Sequence, residues 1–295
     1  MRMRVATFVS VLLVTADILP SAAQTPFKKS VGKNETLWKA KGMLGQVLEE
    51  AVLVHCSTVV IGDGTTSSHS FRRVLRSESH ATSGSVLFEV AIDAGNVTRL
   101  LLPRVVAQAR RVRFLSKCVT VVVVSDDPVF LAAFAEESDR GRLMIWETKL
   151  LVVTRLDMLR VEDLLQDYWT FSMMNTMFLT PKYWEKERWQ VLSYLPYTPE
   201  GSQIISVAKE NSMDDLAIAE GYTLFPEKYK NFHRMPVNMS VYPIPPHWNQ
   251  IYRLGPDGSR VTVVTGRDYL IAKAVSDVLN FSMDLLPYEG WDRVS

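Results

Sequence analysis

VNMSVYPIPPHW, residues 237–248, and DGSRVTVVTGRDYLIAKAVSDVLNFSMDLLP, residues 257–287, carry the change of period from which the fold of the carboxy-terminal part is read. Val237, Met239 and Val241 alternate with Asn238, Ser240 and Tyr242, the period of a half-buried strand. Pro243, Pro245 and Pro246 end it, because proline donates nothing to a ladder. After a turn-rich loop containing Gly255-Pro256-Asp257-Gly258, the period becomes helical. Leu270, Ile271, Ala274, Val275, Val278 and Leu279 fall on one helical stripe, with Lys273, Ser276 and Asp277 outside it. Gly266 and Asp268 suit the turn and cap before that helix. Phe281, Met283 and Leu285 then alternate with Ser282 and Asp284, which closes a strand, crossover helix and strand.

Such a unit is common and says little about function. The order of its residues says more. LFPEKYKNFH (224–233), VNMSVYPIPPHW, a DG loop and GRDYLIAKAVSDVLNFSMDL (266–285) together resemble the opening of the extracellular ligand-binding domain of ionotropic glutamate receptors, and in particular the divergent arthropod ionotropic receptors used for chemosensing. In that family a Pro-Pro-aromatic segment ends the first strand of lobe 1, and a Gly-x-Asp-x-x-Leu helix start leads to a Leu-Asn-Phe-Thr strand entry. Pro245-Pro246-His247-Trp248, Gly266-Arg267-Asp268-Tyr269-Leu270 and Leu279-Asn280-Phe281-Ser282 stand in those places.

The resemblance implies a subunit of a ligand-gated cation channel in which two lobes close on a small molecule and pull on pore helices. It implies other receptor subunits as partners, in a tetramer, and a full-length protein on the extracellular side of the plasma membrane. His247 stands where many members place an aromatic, usually a tyrosine, beside the ligand. Trp248 is its neighbour, and Pro246 would shape the loop. His247 either meets ligand, which would make recognition pH-sensitive, or is a loop residue meeting water. The departure from tyrosine argues against assuming glutamate as the ligand. The family's carboxylate-binding arginine, second-lobe residues and pore helices would all follow Ser295, so the chain as given would be secreted. The alternative is a secreted truncated binding or decoy protein.

At the other end, Met1-Arg2-Met3-Arg4 is basic, Val5 to Ala16 is mostly apolar, and Ser21-Ala22-Ala23 offers small residues before Gln24, the pattern of a secretory signal peptide. Asp17 and Pro20 interrupt a run already too short to span hydrocarbon. Four sequons, at Asn34, Asn96, Asn238 and Asn280, agree with an extracytoplasmic chain, and Asn238 falls on the outward phase of its strand. The expected organisation is a signal peptide (1–23), an amino-terminal α/β domain (24–222), a linker (223–236) and the start of lobe 1 (237–295).

The 295 residues, 47% of them hydrophobic, are enough for one large or two ordinary domains. A formal charge of +1 gives the chain as a whole no electrostatic case for nucleic acid or an anionic membrane. Cys56 and Cys118 are either one bridge across a large loop or two buried thiols. VLVHCSTVVI (52–61) and VTVVVV (119–124) read as buried strands. Asp126, Asp127 and Pro128 start a helix that stops at Gly141, and Asp157 caps another. Leu143–Trp146, Leu150–Val153 and TFSMMNTMFL (170–179) read as further strands, with shorter ones near Trp189 and Ser202–Val207. Strands alternating with helices imply an α/β fold: a doubly wound, mostly parallel sheet followed by the incomplete first lobe of a periplasmic-binding-protein-like clamshell. VVVVSDDPVFLAAFAE, LLVVTRL and WTFSMMNTM also look like the amino-terminal region of the same receptors, whereas residues 24–115 match only loosely.

Catalytic and cofactor chemistry finds little to stand on. Gly62-Asp63-Gly64-Thr65-Thr66-Ser67-Ser68 starts like a dinucleotide fingerprint, but Ser67 takes the third glycine's place and no helical period opens after it, so a nucleotide-dependent enzyme is the least favoured reading. His55, His69, His80, His233 and His247 show no metal-ligand spacing, so no metal and no cofactor are expected. Ser85 has neither a nucleophile elbow nor a recognisable base. Asp126-Asp127, Glu136-Glu137 and Asp214-Asp215 read as helix-start or solvated charges. A non-enzyme is expected.

Overall fold

Four successive parallel strands become apolar on both faces because helices cover both sides of the sheet they form. The computed structural model describes residues 40–51, 56–65, 84–90, 96–182, 188–211, 215–242, 244–254, 256 and 258–286. The chain divides into two compact units, one of residues 1–195 with 204–226 and the other of residues 196–203 with 227–295.

The first unit is built on an eight-stranded sheet with strands β1 (Ser57–Gly62), β2 (Ser85–Glu89), β3 (Val119–Val124), β4 (Lys149–Val153), β5 (Thr176–Pro181), β6 (Trp189–Leu195), β7 (Gln203–Glu210) and β8 (Leu216–Ile218). Their spatial order is β2-β1-β3-β4-β5-β6-β7-β8. The first five are parallel, while β5 pairs antiparallel with β6, and β7 with β8. The fold is thus α/β with a mixed, largely parallel sheet, as the alternation of strands and helices predicts.

Alternate residues of the same strands feed two cores. Val59, Ile61, Val121, Val123, Leu150, Val152 and Phe178 lie on one face, and Val60, Val122, Val124, Leu151, Val153, Met177 and Leu179 on the other. Helix α1 (Lys41–Ala51) covers the second face through Met43, Leu44 and Val47. The first face lies under α2 (Asn96–Leu115), α3 (Pro128–Arg140) and α4 (Met158–Asp167), through Leu102 and Val106, Phe130 and Phe134, and Leu164 and Leu165.

In the first unit the caps are those expected. Asp127 precedes Pro128 and accepts the Val129 N–H at 2.9 Å, and Asp157 accepts that of Arg160 at 2.9 Å. Gly141 ends α3 with no room for a side chain, since a Cβ there would strike Val106 of α2 and the Glu137 carbonyl.

Three expectations are corrected. Leu143–Trp146 is irregular chain, not strand; Leu143 and Met144 are buried for packing alone. The stretch 170–179 is a short helix α5 (Trp169–Ser172), a turn and the start of β5. Phe171 on the helix meets Phe178 on the strand edge to face at 5.1 Å, and the Thr176 hydroxyl donates to the Thr170 carbonyl at 2.8 Å, so one apolar run is folded back on itself. In the Val52–Ile61 stretch, strand begins at Ser57, Ala51 still belongs to α1, and residues 52–55 lie outside the described residues.

The second unit holds β9 (Pro236–Ser240), β10 (Asn249–Leu254), β11 (Arg260–Thr265), α6 (Arg267–Leu279) and β12 (Ser282–Leu286). β9 and β12 pair in parallel, with Val237 opposite Met283 and Met239 opposite Leu285, as strand, crossover helix and strand require. Between them, where the sequence predicts a loop, runs an antiparallel hairpin of β10 and β11. RVTVVT alternates, but it is bounded by the DG turn and the helix start, so its strand signal is short. Helix α6 opens at Arg267 after Gly266, so Asp268 lies in its first turn and is not the expected cap, and the apolar stripe of the helix is uncovered. Leu270 and Val278 are 64% and 79% exposed, Ile271 and Val275 are exposed too, and Ser276 is the buried residue of the helix. Residues 196–203 join this unit through Tyr197, whose ring stacks on Phe232 at 4.1 Å, and Phe232 in turn lies 5.6 Å from Phe281.

Candidate ligand-recognition site

The segment after β9 turns sharply. The His247 and Trp248 N–H groups both donate to the Ile244 carbonyl, at 2.9 and 3.0 Å, and the Pro245–Pro246 peptide is cis. The turn then serves as a seat for α6. Arg267 and Asp268, whose N–H groups have no partner within the helix, donate to the carbonyls of Pro246 at 3.3 Å and His247 at 2.9 Å. Gly266 makes this approach possible. Its φ is +117°, and a Cβ there would run into the His247 carbonyl and come within 3.0 Å of the Pro246 oxygen.

With the backbones locked, the side chains sort themselves. Trp248 is buried, with its ring 5.5 Å from that of Tyr269 in a T-shaped contact. Its indole N–H has no hydrogen-bond partner among the described residues. His247 points its Nδ1 at Arg267 Nη2, 2.7 Å away, while Asp268 Oδ2 lies 3.7 Å from the same nitrogen. Arg267 Nε donates to Asp268 Oδ1 at 3.2 Å. Because a guanidinium only donates, Nδ1 of His247 must accept, and the neutral ring carries its proton on Nε2.

Of the three site residues expected from sequence, Pro246 contributes backbone, Trp248 packs beneath, and His247 stands at the surface with Arg267 and Asp268. The sequence marks those last two only as part of a helix start. Their signal was present, since polar residues in the first turn of a helix that the preceding loop caps must share that loop's surroundings.

Asn238 is exposed on β9. Asn280, in left-handed conformation at the end of α6, donates from Nδ2 to Asn231 at 2.9 Å. Asn34 and residues 1–23, where a signal peptide is expected, lie outside the described residues, as does the side chain of Asn96. Cys56 and Cys118 are joined as a disulfide, with Cα atoms 4.6 Å apart. At the Gly62–Ser68 loop, Asp63 is buried and takes the Thr65 N–H and hydroxyl at 2.9 and 2.6 Å and the Ser125 hydroxyl at 2.6 Å, which ties the ends of β1 and β3 together; residues 66–68 lie outside the described residues. His55, His69 and His80 do so as well. Among the described residues no group of three His, Cys, Asp or Glu side chains is placed to hold a metal, and no helix is long and apolar enough to cross a membrane. No family model matches this chain, and no curated protein matches it.

Proposed function

We propose that the second unit is the opening part of a small-molecule recognition lobe in a ligand-gated cation channel subunit of the ionotropic glutamate receptor superfamily, with a chemosensory role. The observation that supports this reading most is the seating of α6 on the turn Pro245–Trp248, which holds half-buried His247 and exposed Arg267 beside each other in the connection that leads from one parallel strand to the next. A rigid turn against a helix start is a suitable place for a few polar contacts to a ligand, because neither backbone has to reorganise on binding. The exposed stripe of α6 agrees with a lobe whose remaining elements would cover it.

In this reading a second lobe closes over the ligand, and its extra affinity for the closed state supplies the free energy of gating. A secreted binding protein is the competing reading. The test is a current recording from the complete reading frame expressed with its partner subunits, using a panel of small acids, amines and aldehydes. His247→Ala is expected to raise the half-maximal concentration of any active ligand about tenfold, the loss of one good polar contact. An unchanged dose response would remove His247 from the site.

A further inference from the structure

The chain is almost neutral overall, but its charge is not evenly spread. From Asn96 to Cys118 it has five arginines and one lysine and no acidic residue. Arg104, Arg111 and Lys117 are exposed along α2 and just after it. Arg110 and Arg113 reach across to the turn that follows α3, donating to the carbonyls of Gly141 at 3.3 Å and Leu143 at 2.6 Å. That turn carries exposed Arg142 between the two accepting residues, so its cation joins those of α2. None of Arg104, Arg110, Arg111, Arg113, Lys117 and Arg142 forms an ion pair with a carboxylate among the described residues; of the acids at the end of α3, Glu137 is held by Arg140. The guanidinium of Arg113 sits below its ordinary pKa, through burial first and the charge of Arg110 second.

Apolar groups sit within this patch. Phe114 and Leu115 are 69% and 88% exposed at the end of α2, and the guanidinium carbons of Arg110 and Arg113 lie 5.4 and 5.2 Å from the centre of the Phe114 ring. We infer that this patch docks a sulfated polysaccharide, whose sulfates match the guanidinium forks and whose sugar rings lie against Phe114. A bilayer fits less well. The apolar face of α2 is already spent on the core through Leu102, Val106 and Ala109, so no amphipathic helix is left to lie in a membrane interface. The inference shares with the proposed function only the expectation of an extracytoplasmic chain, and it concerns the first unit alone.

The test is binding of the full chain to immobilised heparin as a function of salt, with desulfated heparin, anionic phospholipid vesicles and single-stranded DNA as competitors. If four cations engage, affinity should fall on the order of tenfold for each doubling of salt. The triple variant Arg111→Gln, Lys117→Gln, Arg142→Gln, all exposed positions, should lose at least about tenfold, while Arg160→Gln on α4 should stay within about twofold. Four results each overturn the proposal: absence of binding, equal competition by desulfated heparin, preference for vesicles or DNA, or full retention by the triple variant. The competition and salt arms use the unaltered protein, so they decide the matter even if the triple variant does not fold.

Discussion

Lys228 is buried in the second unit beside half-buried Tyr229, and burial pulls its ammonium pKa from 10.5 down to about 7. The same cause pushes the Tyr229 phenol up, with Tyr197 and Glu227 adding to it. The sign of the lysine's contribution follows from linkage. Above about 10.5 the amine is neutral whether folded or unfolded, and the unit has its full stability; as pH falls toward about 7 the unfolded chain takes up a proton that the folded one resists, so stability declines, and it levels off below that. A chemical-denaturation series should show this slope in the wild type and a flatter profile in Lys228→Met. A slope unchanged by the substitution would assign it to another group. At this scale the sequence was only partly legible. Pro246, His247 and Trp248 stood out by their order, but which of them faces water depends on α6, whose Tyr269 covers Trp248 and whose Arg267 meets His247. Nor does any local signal mark Lys228 as buried, because charged residues in a proline-flanked connector are ordinarily solvated.

Among the elements, β1 and β3 are the pair the rest of the first unit is laid on, and the disulfide joins them one residue before their ladder begins at Ser57 and Val119. Cross-linking residues 62 apart in sequence restricts the unfolded chain by about 4 kcal/mol in the loop-closure model. The double variant Cys56→Ser, Cys118→Ser should therefore lose about 2–4 kcal/mol in equilibrium denaturation, and a loss below about 1 kcal/mol would mean that the native state is strained by the bond. VTVVVV could be read directly, because a strand covered on both faces is apolar throughout and has strand length. Pro128 and Asp127 gave away the start of α3 for equally local reasons. Helix α2 went unread, since Pro103 and its arginines blur the helical period, and the β10–β11 hairpin was hidden by a turn that resembles an ordinary loop. The run 170–179 misled because an apolar segment does not declare whether it is one strand or a helix folded onto a strand.

For the whole molecule, the α/β class and the two-unit division rest on patterns of different reach. Alternation of strand and helix is local and was readable in most of the first unit. That Tyr197, in the connection from β6 to β7, stacks on Phe232 is a long-range choice no window of sequence contains. The exposure of Leu270, Ile271, Val275 and Val278 is of the same kind: the period was right, and a cover for the stripe is not among the described residues. Two parallel strands and one helix with an uncovered apolar face are a marginal structure by themselves. Reading the transcript past the codon for Ser295 tests the receptor lobe most directly. Further lobe strands, three apolar helices of membrane length and a second-lobe segment are expected there in frame; a stop codon at that point would contradict the channel and leave a secreted binding protein.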